Sequence, residues 1–403
     1  MKTIFIQLLL LFIGISSIDA QNYADSLDLN LTELYKKSNL PGFSLSIVDN
    51  NNILYQKCFG YSNKETQIPY SNKTIQPIAS ISKTFIAVSV MKAIEMGYFT
   101  METNINDILP FQVVNPHFPD ESLKIKHLVT HTSGITDKLS NYIRSYYLTG
   151  KADFANNKYS FFEKIYLKKV AKNNRMELGI YLKETLSKEG KYYKKKCFSK
   201  NKAGEAYEYS NIGAALAAYI VEIACGKPFN EFTKEYIFTP LEMNSTSWES
   251  SQKDIANNAI LYSTKGSPLP TYSCSNYPDG NLNTTSTDLC KFLIEMIKGN
   301  NKQSSLISSE SYITMLSPQY QRSASKKQGN EEIGIFWELT KKGSIGHTGS
   351  DAGVTAFMFF FPDKKVGMLL VTNIGGDSNK GLIEQLLSIW KTGLKYAQPL
   401  TSN

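Results

Sequence analysis

Apolar and polar residues alternate along Gly42-Phe43-Ser44-Leu45-Ser46-Ile47-Val48, the period-two pattern of a strand with one face against a core. Asn50-Asn51-Asn52 reads as a turn and Ile53-Leu54-Tyr55 opens a second strand, so this segment predicts a hairpin. From Ile81 to Met96 apolar residues fall nearly all round a helical wheel, which predicts a buried helix, and Gly97 supplies its stop. A second strongly apolar helix is predicted over Asn211–Cys225, ended by Gly226. Two further strands, Val354–Phe361 and Val366–Asn373, flank the turn Pro362-Asp363-Lys364-Lys365, and a last helix runs from about Gly381 to Tyr396. Strands at both ends with helices between them predict an α+β fold. One antiparallel sheet draws on both termini, is flanked by helices, and carries an inserted, mainly helical lobe.

The chain has 403 residues, 42% of them hydrophobic and 20% charged, an ordinary globular composition that length alone would divide into two or three domains. No low-complexity linker or internal repeat interrupts it, so residues 21–403 are expected to form one large domain with two lobes. Residues 1–20 read as a secretory signal: Lys2 gives the positive start, Ile4–Ile15 is apolar apart from Gln7 and Gly14, and Ser16, Ser17 and Ala20 are small. The run is too short to span a bilayer as a helix, and no later segment has a long apolar run. The expected location is therefore outside the cytoplasm, periplasmic or secreted.

Five scattered cysteines, Cys58, Cys197, Cys225, Cys274 and Cys290, contain no Cys-x-x-Cys and so give no zinc or thioredoxin signal. Export permits a disulfide, with Cys274 a candidate, while Cys225 and Cys290 sit in helical apolar patterns and read as core. The net charge of +8 is concentrated: residues 138–204 hold 17 Lys/Arg against 5 Asp/Glu, interleaved with eight tyrosines. The export signal and the lack of any binding motif argue against a nucleic-acid surface. A solvated helical insertion is expected instead, one that borders the active site or meets an anionic envelope surface.

Candidate chemistry starts at Ser80-Ile81-Ser82-Lys83. On a helix, residues three apart share a face, so the Ser80 hydroxyl can lie beside the Lys83 amine, and an amine of lowered pKa can take the serine proton. Ser-x-x-Lys also occurs at Ser89, Ser199, Ser323 and Ser388; what distinguishes Ser80 is its company. Tyr209-Ser210-Asn211 sits immediately before the second apolar helix. The phenol is a proton carrier if cationic neighbours help it, and the Asn211 amide can donate to a substrate carbonyl and to Lys83. His347-Thr348-Gly349-Ser350 precedes the strand at Val354, and its glycine lets a substrate lie against the backbone. The Ser350 and Ser80 amides together are a candidate oxyanion hole.

These three motifs, in this order, resemble the serine β-lactamase and penicillin-binding-protein superfamily, in its class C-like branch. Pro41-Gly42-Phe43-Ser44 looks like that family's first strand. His127-Leu128-Val129-Thr130-His131-Thr132-Ser133-Gly134-Ile135 resembles a structural loop of the family, and Gly280–Thr285 a later helix entry. The resemblance implies a β-lactamase/DD-peptidase-like fold and an acyl-enzyme mechanism without cofactor or metal. Ser80 would be the nucleophile, Lys83 and Tyr209 would share the proton work, and Asn211, His347, Thr348, Gly349 and Ser350 would bind a small-molecule or peptide substrate. Which of Lys83 and Tyr209 is the base stays open. His347 stands where β-lactam-recognising members usually carry Lys, and a neutral imidazole partners a substrate carboxylate more weakly. That shifts the expectation from β-lactamase or D,D-carboxypeptidase proper towards peptidase, amidase or esterase action, with a catalytically silent envelope-binding module as the rival. His127 and His131 are four apart but lack the glutamate of a zinc protease helix, and the resemblance assigns both to the structural loop. No Gly-x-Ser-x-Gly elbow occurs.

Overall fold

The computed structural model describes residues 21–249, 257–321, 332–376 and 379–401; the signal-like residues 1–20 lie outside the described residues. Among the described residues thirteen strands are formed: β1 Gly42–Val48, β2 Ile53–Asn63, β3 Ile68–Pro69, β4 Gln76–Pro77, β5 Tyr146–Leu148, β6 Tyr272–Cys274, β7 Asn283–Thr284, β8 Tyr320–Gln321, β9 Glu332–Ile333, β10 Glu338–Leu339, β11 Ile345–Asp351, β12 Val354–Phe361 and β13 Val366–Thr372. Nine of them make one antiparallel sheet in the order β3-β2-β1-β13-β12-β11-β10-β9-β8. As expected, the N-terminal hairpin and the C-terminal strands meet in one sheet, Leu45 pairing with Leu370 and Ile47 with Met368, but β1 is buried along its whole length rather than on one face.

The helices are α1 (residues 21–36), α2 Ser82–Glu95, α3 Ile125–Val129, α4 Leu139–Ser145, α5 Phe161–Val170, α6 Leu178–Leu186, α7 Asn211–Cys225, α8 Phe229–Thr233, α9 Ser286–Asn300, α10 Ser309–Leu316 and α11 Lys380–Thr401. The sequence placed the starts and stops of α2 and α7 well, because Gly97 (φ +79°) and Gly226 (φ +63°) both adopt the left-handed conformation that ends a helix. It missed α1, although Ala24, Leu27, Leu31 and Leu34 recur there at helical spacing, and the strands β8–β10, which are too short to show a period.

The central strands β1 and β13 are buried on both faces. On one side α1 and α11 cover Phe43, Leu45, Ile47, Met368 and Leu370 with Leu27, Leu31, Leu386 and Ile389. Gly393 permits this approach, since a Cβ there would sit 2.6 Å from Met368 Sδ. On the other side α9 lies on β13 over Gly367, whose missing Cβ makes room for Leu293 and Ile297. Beyond α9 the larger core joins α2, α7 and the middle segments. The rings of Phe85 on α2 and Phe292 on α9 stack at 3.8 Å between centroids, tying the helix that carries Lys83 to the helix that lies on the sheet.

Residues 138–204 fold as α4, β5, α5 and α6 joined by long turns, so helices are their main regular element but hold fewer than half of their residues. Their attachment is a two-stranded pairing of β5 with β6, Tyr146 opposite Cys274. All five cysteines are unpaired, so the expected disulfide at Cys274 does not form: Cys274 is buried among Tyr146 and Val170 instead. Cys290 is in the core, while Cys225 is only partly buried against it. Among the described residues no single helix is long and apolar enough to cross a membrane.

Phe292 is fully buried, and truncation removes its stack on Phe85. Phe292→Ala should lower unfolding stability by about 3–5 kcal/mol, read as a shifted denaturation midpoint at unchanged slope.

Candidate active site

Ser80 does not lie in α2 itself. It sits in a 3₁₀ turn, Ala79–Ile81, that leads into Ser82, the first residue of the helix. Ala79 has φ +48°, an uncommon conformation for a residue with a side chain and a sign of a turn fixed by its surroundings. Those surroundings are visible. Ile78 N donates to the Leu282 carbonyl at 3.0 Å, and Leu282 N donates to Ser82 Oγ at 3.2 Å. Strand β11 closes the other side: a Cβ on Gly349 would stand 2.3 Å from the Ile78 carbonyl oxygen. Only glycine lets the strand of the third motif approach the serine turn this closely.

Within this frame Lys83 is completely buried, whereas Ser80 keeps partial access to solvent. Lys83 Nζ lies 3.0 Å from Ser80 Oγ, 2.6 Å from Asn211 Oδ1 and 2.6 Å from the Asp279 carbonyl oxygen. Burial lowers the pKa of the amine, opposed by the nearby carboxylates of Asp279, Asp137 and Asp351. Two of the three partners, the amide and peptide oxygens, can only accept. A neutral amine satisfies both with its two N–H groups and leaves its lone pair for the Ser80 hydroxyl.

Tyr209 is brought to the same point. Its phenol hydrogen-bonds with Ser80, and burial followed by the acids Asp279, Glu338 and Asp137 raises its pKa well above the ordinary range. The Lys83 amine lies 5.1 Å from the Tyr209 ring centre. His131, at φ +55°, packs its ring 4.5 Å from that of Tyr209 and accepts the Ser210 amide at Nδ1, 3.2 Å. His127 Nδ1 accepts the Lys124 amide at 3.2 Å, and its pKa is pushed down to about 4, chiefly by burial. The two loop histidines thus act as backbone braces. No group of three or more metal-ligating side chains exists among the described residues.

Asn211 requires a correction of role. Its amide was expected to donate towards Lys83, but Oδ1 accepts from Lys83 while Nδ2 donates to Asp137 Oδ2 at 2.8 Å. An ammonium or amine N–H must meet an oxygen, and a carboxylate on the far side fixes which way the amide points. Asp137, which sequence reasoning overlooked, also accepts the Asn211 amide at 2.7 Å, the Ile212 amide at 3.0 Å and the Ser210 hydroxyl at 3.1 Å. It caps the N-terminus of α7, where backbone donors otherwise lack partners and the helix dipole favours an anion. The available signal was an acid three residues beyond Gly134, just past the recognised loop.

The third motif lines β11. His347 is buried, with Nδ1 2.5 Å from the Thr348 carbonyl oxygen and its ring 6.3 Å from that of Tyr209. Thr348 is exposed, Gly349 buried and Ser350 partly accessible. Asp351, also not singled out by sequence, follows directly. Its Oδ2 accepts from the Tyr146 hydroxyl at 3.0 Å, and burial raises its pKa to about 6. Tyr146 belongs to the basic segment 138–204, which thus reaches the residue that follows the third motif. Asp279, in the segment after β6, is buried with its acidity weakened by desolvation, and Asn276 holds its carboxyl.

A family model described as Beta-lactamase matches residues 27–388. Curated relatives include Protein flp of Staphylococcus aureus (strain MW2), 21% identical over 355 residues that cover 87% of this chain and 63% of the relative. Penicillin-binding protein 4* of Bacillus subtilis (strain 168) is 28% identical over 226 residues, 56% of this chain and 42% of the relative. The chain thus spans less than two thirds of the length of either. Among solved structures, an octameric penicillin-binding protein homologue from Pyrococcus abyssi superposes with a TM-score of 0.69 at 23% identity, covering 93% of this chain and 78% of that one. A class C beta-lactamase gives 0.64 at 18%, covering 96% and 97%. At such identities the structural likeness is one of fold: the antiparallel sheet with flanking helices is the β-lactamase/DD-peptidase architecture.

Two outcomes are expected. Asp137→Ala removes the cap of α7 and should cost about 1–2 kcal/mol of stability, measured by thermal or denaturant unfolding. Asp351 holds its proton more tightly when folded than when unfolded, so its contribution is fully present below the unfolded value near 4 and is lost as pH rises through about 6. Asp351→Asn should therefore flatten the fall in stability between those limits by up to about 3 kcal/mol, read from denaturation midpoints at pH 4 and pH 7.

Proposed function

The chain belongs to the beta-lactamase family, and from that premise we propose that it is a serine hydrolase that cleaves an amide or ester through an acyl group on Ser80. The observation that carries the proposal is the environment of Lys83: a buried amine with two acceptor-only oxygens at 2.6 Å and the Ser80 hydroxyl at 3.0 Å. In this reading Lys83 is the base. Ser80 gives its proton to the Lys83 lone pair as Oγ bonds to the substrate carbonyl carbon. The backbone amides of Ser80 and Ser350 receive the oxyanion. Tyr209, which burial and nearby acids keep protonated, donates to the leaving group and is reprotonated from Lys83. Water then attacks the acyl-enzyme with the same groups returning the proton to Ser80. Asn211, oriented by Asp137, positions Lys83.

The substrate class follows from charge. A β-lactam or a peptide ending in a carboxylate brings an anion to the third motif. Here that motif carries His347 rather than a lysine, buried and engaged with the Thr348 carbonyl, so it offers a substrate carboxylate an imidazole in place of an ammonium. This favours a neutral substrate, hence peptidase, amidase or esterase action on a small molecule or peptide. The partial solvent access of Ser80 supports catalysis over a silent binding module. The leader-like residues 1–20 support an exported setting.

A nitrophenyl ester should give a burst of nitrophenol equal to the enzyme concentration, with the acyl adduct found on Ser80 by mass spectrometry. Ser80→Ala should abolish the burst and lower turnover at least roughly 10³-fold. The acylation rate should rise with pH along a limb set by loss of the Lys83 proton, below the ordinary lysine range. A slow rate equal in both proteins would refute the acyl-Ser80 reading.

A further inference from the structure

Helix α5 has two apolar faces, and the protein covers one of them. At 100° per residue, Leu167 and Val170 point inwards, where Val170 packs with Tyr146 and Cys274. Glu163 turns to the same side, accepting the Ser160 amide at 2.7 Å and the Thr264 amide at 2.8 Å. The opposite face carries Phe161, Ile165, Lys168 and Lys169, with Phe162 and Lys164 at its edges and Lys172 in the turn that follows. Phe161 and Phe162 are 72% and 80% exposed, and Ile165 is 38% exposed. The two phenyl rings meet each other edge to face, with centroids 5.7 Å apart. None of Lys164, Lys168, Lys169 and Lys172 forms an ion pair among the described residues. The helix thus presents apolar rings ringed by lysines, with its only acid, Glu163, turned inwards.

Lysines alone would suit any polyanion. A polyanion without aromatic bases gains little from two adjacent phenyl rings held in water, and the leader-like residues 1–20 and the lack of a nucleic-acid-binding motif argue against a single-stranded nucleic acid, whose bases could stack on them. A bilayer with acidic headgroups takes both, because lysines meet the phosphates and the rings enter the acyl boundary. We propose that the outward face of α5 is a docking surface for an anionic phospholipid bilayer. Phe161, Phe162 and Ile165 insert, and Lys164, Lys168, Lys169 and Lys172 bind headgroups. The strong positive excess of residues 138–204, 17 Lys/Arg against 5 Asp/Glu, steers the approach. The inner side of the same insertion supplies Tyr146 to Asp351, so docking sets the candidate active site at a fixed height above the lipid surface.

The test reads binding and needs no turnover, so it stands apart from the acyl-enzyme reading. The full chain carrying Phe162→Trp is mixed with unilamellar vesicles of phosphatidylglycerol and phosphatidylcholine, with and without brominated acyl chains. Relative to the chain without this substitution, the added emission should shift to the blue and be quenched by the bromines. Vesicles of phosphatidylcholine alone should bind at least roughly tenfold more weakly. In the otherwise unsubstituted chain, Lys168→Gln with Lys169→Gln should weaken sedimentation with the anionic vesicles about 25-fold at low salt. Phe161→Ser with Phe162→Ser should weaken it roughly tenfold or more at an unchanged thermal midpoint. Absence of a blue shift at low salt would overturn the proposal. So would vesicle binding that ignores the phenylalanine substitutions, an outcome pointing to a soluble polyanion as the partner.

Discussion

A lysine with no exposure to solvent, held 3.0 Å from a serine hydroxyl, is the constraint on which the rest of this structure turns. An ammonium in that position loses its hydration and must be compensated, or the proton must leave. The protein provides both influences. Desolvation drives the proton off, while Asp279, Asp137 and Asp351 pull the other way from a distance. The two oxygens that accept from Nζ come from separate parts of the chain, one on Asn211 at the start of α7 and one on the Asp279 backbone. Correct placement of both requires α7, the segment after β6 and α2 to be packed together, and the large core they share accomplishes this.

The same demand explains several features that otherwise look unrelated. Asp137 spends four hydrogen bonds on the end of α7 and on Asn211, which fixes the polarity of the amide that faces Lys83. His131 buttresses Tyr209 while bracing the Ser210 backbone. Gly349 lets β11 lie against the serine turn, and that contact couples the central sheet to the helical side of the site. The result is a site whose acids are buried and hold their protons more tightly than usual, and whose third motif supplies a buried histidine. This combination separates the substrate preference proposed here from that of enzymes selecting a carboxylate.

Much of this was legible in the sequence because it is written in local signals. Period-two strands at Gly42–Val48 and Val354–Phe361, apolar helices ended by Gly97 and Gly226, and three short motifs in order gave the sheet, the two central helices and the residues gathered around Ser80. What escaped has a physical reason. Asp137, Asp279 and Asp351 are single acids whose importance comes from burial and long-range packing, which no spacing rule reports. The direction of the Asn211 amide depends on partners 74 and 128 residues away along the chain. The short edge strands β8–β10 have too few residues to show a period. The outward face of α5 was visible only as charge; the exposure of Phe161 and Phe162 needed the fold.

The central claim is that Lys83 is the group that receives the serine proton, and its protonation state can be observed directly. In protein labelled with ¹³C and ¹⁵N at lysine, the Lys83 side-chain resonance can be identified by its loss in Lys83→Met and followed with pH. The account predicts that Lys83 loses its proton at a lower pH than the exposed lysines of the same chain. A Lys83 amine that titrates together with those lysines, or above them, would contradict it.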